Sequence, residues 1–121
     1  MATYAELREA MTEYVEQARK SQRVIRSLRH WNCTIYIEAG DLGQGFTMQV
    51  HGSQVMMQDG LIEKPDLIVR GESEDLANIF WCDTNPASAY MQGVIKTHGP
   101  QEHVMRLDAI SLLIYLELNS A

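Results

Sequence analysis

Apolar side chains at Tyr4, Leu7, Met11, Tyr14, Ala18, Ile25 and Leu28 recur at alternating short steps, interrupted only at Ser21, and neither Gly nor Pro falls before Asn32. Three- and four-residue steps line one side of an α-helix, so residues 1–31 are read as one long amphipathic helix. Thr3 and Glu6 make a capping box at its start, each side chain satisfying an orphan backbone N–H. Glu6, Glu9, Glu13 and Glu16 precede Arg19, Lys20, Arg23, Arg26 and Arg29, which suits the helix dipole at both ends.

After Trp31 the period shortens to two. Thr34, Ile35, Tyr36 and Ile37 are β-branched or aromatic, Gly40 to Gly45 turns the chain, and Phe46, Met48 and Val50 alternate with polar residues. Further breaks at His51-Gly52-Ser53 and Asp59-Gly60 separate Val55 to Met57 from Asp66 to Arg70. Strands joined by short turns pair antiparallel, and Gly93 to His98 supplies a fifth strand. Helical signals return at Ser73, with Glu74 and Asp75 in the first turn and Leu76, Ala77, Ile79 and Phe80 as the buried face. Asn85 caps another short helix, Pro86 fills its first turn, and Gly93 lies beyond its end. Gly99-Pro100 opens a last helical stretch carrying Val104, Met105 and Leu107. From Ile110 to Leu118 the chain is apolar almost all round, and periodicity there does not choose between helix and strand.

With 121 residues, 45% of them hydrophobic and 21% charged, the chain fits one globular domain spanning 1–121. Residues 1–31 carry six of the ten basic side chains against four acids, and the remainder carries four bases against twelve acids. A predominantly acidic body with a net charge of -6 argues against nucleic-acid binding. Arg19, Arg23 and Arg26, with Lys20 and Arg29, form a basic stripe that suits transient contact with an anionic membrane surface. Dipole complement and solvated ion pairs explain the same stripe. No apolar run approaches the length that spans a bilayer, the longest being Leu112 to Leu116. The N-terminus shows no basic-then-apolar leader, so a cytoplasmic placement is expected.

Candidate chemistry is sparse. The glycines between Gly40 and Gly45 are flanked by strands on both sides, whereas a phosphate cradle opens a helix. His30, His51, His98 and His103 lack metal spacing, and Cys33 and Cys82 form neither a disulfide framework nor a CxxC pair. No catalytic residue, metal or cofactor is therefore expected. More suggestive is the apolar excess of the C-terminal half, which is read as an ordinary thick core, an internal tunnel or a partner-binding patch.

One feature of that half separates these readings. The strand before Gly71, the helix with Leu76, Ile79 and Phe80, and then Asn85, Pro86, Ala89, Tyr90, Met91, Gly93, Val94, Ile95, Gly99, Met105 and Leu107 follow one another in an order that resembles the sterol carrier protein 2 (SCP2) lipid-binding family. The likeness spans about Cys33 to Ile114 and is strongest from Pro65 onward. It implies an α/β fold in which a five-stranded, mainly antiparallel sheet is covered on one face by helices, and it favours a helix over a strand for 109–118. It also implies a carrier that performs no chemistry and holds an apolar ligand, a fatty acid, fatty acyl-CoA or other lipid, in an internal tunnel. The lining expected from the resemblance is Leu76, Ile79, Phe80, Tyr90, Met91, Val104, Met105, Ile110, Leu113 and Ile114, with 109–118 as a mobile lid. Some eukaryotic members end in a Ser-Lys-Leu-type peroxisomal address, and this chain ends Leu-Asn-Ser-Ala. The family also occurs as an accessory domain of enzymes. The competing reading is accordingly an interaction subunit, with an enzyme or a second copy docking on the N-terminal helix seam or the C-terminal apolar segment.

Overall fold

Ser21 divides the N-terminal helix in two. The computed structural model describes residues 2–119, so the last two residues of the C-terminal tetrapeptide lie outside the described residues. Helix α1 covers Tyr4–Lys20 behind the expected Thr3–Glu6 capping box, and α2 covers Gln22–Ser27. Between them Ser21 is extended (φ -84°, ψ 118°), and its hydroxyl accepts a hydrogen bond from the Val24 N–H at 3.2 Å. A serine side chain that bonds nearby backbone competes with the helix and makes a cap. The single helix expected over 1–31 is thus corrected to two. The break shifts the helical phase, so Val24 is buried in full and Ile25 only in part, while Leu7, Met11, Tyr14, Ala18 and Leu28 still face inward.

Five strands follow the expected alternation: β1 (Cys33–Ala39), β2 (Gln44–His51), β3 (Gln54–Asp59), β4 (Leu67–Gly71) and β5 (Ile95–His98), in spatial order β3-β2-β1-β4-β5. Strands β1, β2 and β3 form an antiparallel meander, and β5 pairs antiparallel with β4. β4 does not pair with β3 as its short connection suggests. It runs parallel to β1, Ile35 to Ala39 facing Leu67 to Gly71. The connection from Gly60 to Asp66 therefore crosses the outer face of β2 and β1. Thr47 anchors it, donating to the Gly60 carbonyl (2.6 Å) and accepting from the Ile62 N–H (3.2 Å), which explains a buried threonine on the outer face. Glu63 accepts from Thr34 and Gln49, and Asp66 accepts from the Thr34 N–H.

Helices α3 (Ser73–Phe80), α4 (Pro86–Met91) and α5 (Gln101–Asn119) join α1 on the inner face, where Ile35, Ile37, Phe46, Met48 and Leu67 are buried. The Tyr14 ring meets Phe80 edge-on at 5.0 Å. Residues 109–118 are helical, as the second half of α5 rather than as an element of their own. No side chain from Glu72 caps α3. Asp41, from the β1–β2 turn, instead accepts from the Ser73 N–H (2.8 Å) and hydroxyl (2.6 Å), and Ser73 Oγ accepts from the Ala2 N–H (3.1 Å). Those bonds hold the Asp41 carboxyl below its ordinary range. One buried serine thus ties the start of the chain, the first hairpin and α3 together.

Gly45 is a site where a side chain has no room. A Cβ there would stand 2.2 Å from the Ile37 carbonyl oxygen and 2.9 Å from the Tyr36 ring. Gly45→Ala should destabilise by on the order of 2 kcal/mol and lower the thermal midpoint by several degrees. Circular dichroism melting checks this, and an unchanged midpoint would show that the hairpin yields.

Candidate ligand-binding site

The inner face of the sheet splits into two halves. α1 packs over the β3 side, while α3 and α5 span the β4–β5 side and leave a small space between them. Strand alternation turns Ile37, Val69, Ile95 and Thr97 into that space. Helical spacing turns Leu76, Ile79 and Phe80 toward it from α3, and Val104, Leu107, Asp108 and Ser111 from α5; Pro86 closes one side. The cavity measures about 30 Å³. That is roughly one water's share of liquid volume, and far below the ~300 Å³ or more that houses a small-molecule ligand. A lipid tail therefore enters only if the walls part.

Solvent contact locates the mouth. Among the lining residues Thr97, Leu107 and Asp108 are partly exposed and the others are buried, which puts the opening between β5 and α5. Ser111 is not free to meet a ligand there, because its hydroxyl and that of Tyr14 share a buried hydrogen bond of 2.7 Å. Burial pushes the Tyr14 hydroxyl far above its ordinary pKa, so it stays protonated. Asp108 is different. Among the described residues no side chain or backbone group hydrogen-bonds or ion-pairs with it, and burial raises its pKa.

Four residues expected to line a tunnel do line this cavity: Leu76, Ile79, Phe80 and Val104. Ile110 and Ile114 are buried in the core outside it, and Tyr90 and Leu113 are partly buried beside that core. Met91 and Met105 lie outside it, being 85% and 63% exposed. α4 ends at Met91, and Met105 sits about 100° round the helix from Val104, so neither can follow its neighbour inward. Sequence reasoning missed Ile37, Val69, Pro86, Ile95, Thr97, Leu107, Asp108 and Ser111 as lining. The signal for Asp108 was available: one acid on the same helical face as Val104, Leu107 and Ser111.

A larger hollow, about 420 Å³, lies on the outer face of the sheet among Asn32, Thr34, Gln49, His51, Glu63 and Asp66. It is open and its polar groups already serve one another, His51 with Asn32 at 2.9 Å and Glu63 with Thr34 and Gln49. An apolar ligand gains little there. Cys33 beside it is pushed up to about 12 by burial, and Cys82 to about 11, so both remain unreactive thiols at neutral pH. Among the described residues no group of three or more His, Cys, Asp or Glu is placed to hold a metal ion.

A family model described as the SCP-2 sterol transfer family matches residues 13–111, a span that contains every lining residue from Ile37 to Ser111. The chain belongs to the SCP-2 sterol transfer family. No curated protein matches the chain. Among solved structures, the sterol carrier protein domain 2 of Helicoverpa armigera is similar with a TM-score of 0.71 and 19% identity, covering 96% of this chain and 93% of that one. "UbiJ-SCP2 Ubiquinone synthesis protein" is similar with a TM-score of 0.70 and 12% identity, covering 89% and 94% respectively. A palmitated SCP2L2 from Aedes aegypti is similar with a TM-score of 0.61 and 17% identity, covering 91% and 95%. At these identities the likeness is one of fold. Family membership supports lipid binding or transfer for this SCP-2 chain.

The unpartnered Asp108 generates a test. Its raised pKa means that the folded chain binds more protons than the unfolded one between the ordinary aspartate value and the raised one, so stability falls as pH rises through that window. Asp108→Asn removes that penalty. The variant should melt higher than the parent at pH 7, with the gain closing once the pH drops below the ordinary range near ~3.9. Thermal melts at several pH values check this; a variant that melts lower at pH 7 would assign Asp108 a stabilising partner.

Proposed function

We propose that this chain binds or transfers an apolar lipid without catalysing a reaction on it, the tail lying in an opened form of the cavity beneath α3 and α5. The observation that carries the reading is the wall itself: Ile37, Val69, Leu76, Ile79, Phe80, Ile95 and Val104 enclose a space with no polar side chain except near α5 and at Thr97. A fatty acid, a fatty acyl-CoA and other single-tailed lipids all have tails of that chemistry, and the fold is that of a palmitated protein. At ~0.8 kcal/mol per methylene, a tail of roughly sixteen carbons contributes on the order of 10 kcal/mol before association and ordering. Parting α5 from β5 consumes a further share, and affinity near the micromolar range is the expected result.

Entry requires α5 to move as a unit. Residues 109–118 include the buried Ile110 and Ile114, and the Glu117 carboxylate accepts from the Ser21 hydroxyl at 2.7 Å. A lid made of that segment alone would leave this core behind. The hydrogen bonds from Tyr14 and Ser21 act as a clasp that holds the closed form.

A second reading keeps the chain as a subunit that serves an enzyme. The N-terminal seam does not favour it, since Leu7, Met11, Tyr14 and Leu28 are spent on the chain's own core. Leu116 and Leu118, each about half exposed on the last turns of α5, are the observation on its side.

Native mass spectrometry of the purified protein, followed by solvent extraction, should find a stoichiometric lipid adduct or uptake of an added long-chain lipid. Leu107→Trp at the mouth should lower that uptake at least ten-fold with little change in melting, because Leu107 is only partly buried. Equal uptake by the variant would move the entrance elsewhere. No uptake by the parent would remove the carrier reading and bring the subunit reading forward.

A further inference from the structure

We propose that α5 is the seam of a homodimer, its outer face packed in parallel against the same face of a second copy of the chain. A helix that is apolar all round belongs in an interior. The second half of α5 is apolar on almost every side, yet only part of its circumference is covered. On one flank lies α2, where Arg106 donates to the Ser27 and Arg29 carbonyls (3.2 and 3.0 Å) and Glu117 accepts from the Ser21 hydroxyl. On the other lies α4, with the turn after α3 held by the Asn119 amide, which donates to the Cys82 carbonyl at 3.0 Å. Between these flanks run Met105, Ala109, Leu112 and Leu116, of which only Leu112 is partly buried. Even Leu112 stays off the core against which Leu107, Leu113 and Tyr115 pack. Glu102 and Asn119 bound this line, and no charged residue interrupts it. None of the four lines the cavity, so the inference is separate from the carrier reading.

Register and charge name the occupant. The four residues follow one another at steps of four, three and four, the spacing of a two-helix seam, and the small Ala109 lets the helices approach to ~8–10 Å. Such a line is complementary to itself, each residue meeting its own counterpart across a two-fold axis. The flanks choose the direction. Between Glu16 and Glu38 the chain holds five bases and no acid, and Arg23 of this stretch shares a hollow with Leu116 and Asn119. On the opposite flank the exposed Asp83 follows Cys82. Neither Arg23 nor Asp83 is in an ion pair among the described residues. In a parallel pair the two-fold axis runs along the seam and carries the α2 flank of each copy over the α4 flank of the other, so Arg23 faces the partner's Asp83 on both sides. An antiparallel pair sets α2 on α2 and brings bases against bases, which repel. The seam is narrow. Its side chains expose on the order of 300 Å² per copy, which sets the pair at the weak end of specific interfaces, with dissociation in the tens of micromolar.

Sedimentation velocity of the full chain from about 5 to about 500 µM tests the pair. The parent should pass from monomer to dimer with a midpoint in the tens of micromolar. Ala109→Glu sets two carboxylates against each other on the axis and should weaken association at least ten-fold, with no loss of melting temperature in the dilute protein because Ala109 is exposed. Arg23→Glu should weaken it about five-fold, and adding Asp83→Arg should return the midpoint to within about two-fold of the parent. A parent that stays monomeric throughout would overturn the pair, and Ala109-dependent adsorption of that monomer to phosphatidylcholine vesicles would give the face to a membrane instead. Association that Ala109→Glu leaves unchanged would move the contact off α5 and overturn it equally. A double variant no tighter than Arg23→Glu would overturn the parallel order.

Discussion

Parallel pairing of β4 with β1 is the constraint on which the rest of the molecule depends. A parallel neighbour cannot be reached by a tight turn, so the chain must leave β3, cross two strands and re-enter the sheet beside β1. The crossing runs over the outer face and is pinned there by Thr47, Glu63 and Asp66. That leaves the whole inner face to helices. It also puts Val69 beside Ile37 and sends β5 to the edge, where α5 meets it. Had β4 joined β3 in a simple meander, Ile37 and Val69 would not share one cavity.

Around that frame the polar groups divide into two kinds. Most are paired and structural: Asp41 with Ser73, Tyr14 with Ser111, Glu117 with Ser21, Trp31 with His103. They join elements far apart in the chain and close the inner layer over the sheet. Asp108 stands apart, a carboxylate with no hydrogen-bond or ion-pair partner among the described residues, at the partly exposed rim of the apolar cavity.

The elements themselves were largely legible. Capping at Thr3, the Asn85-Pro86 start and the two-residue alternation of β1 and β2 are local signals, and each appears where it was read. The helix break at Ser21 was not, because a serine on an apolar stripe is compatible with a continuous helix until its hydroxyl finds the Val24 N–H. Of the expected lining, Leu76, Ile79 and Phe80 form a compact helical face that borders the cavity. Met91 and Met105 lie away from it, because hydrophobicity alone does not distinguish a side chain facing the sheet from one beyond the end of a short helix.

By itself the sequence determined most of the inventory: which stretches are helix or strand, apart from the break at Ser21 and the apolar segment from Ile110, which face of each is apolar, and, through the order of motifs from Pro65 onward, the family. Those properties depend on neighbours a few residues apart, and periodicity and caps record them directly. Only the tertiary structure decided that β4 lies beside β1, that the apolar excess closes to a cavity of about 30 Å³, and that Asp108 stands at its rim. Each of these is set by contacts between segments tens of residues apart, where the packing of one element against another, and not its own pattern, selects the arrangement.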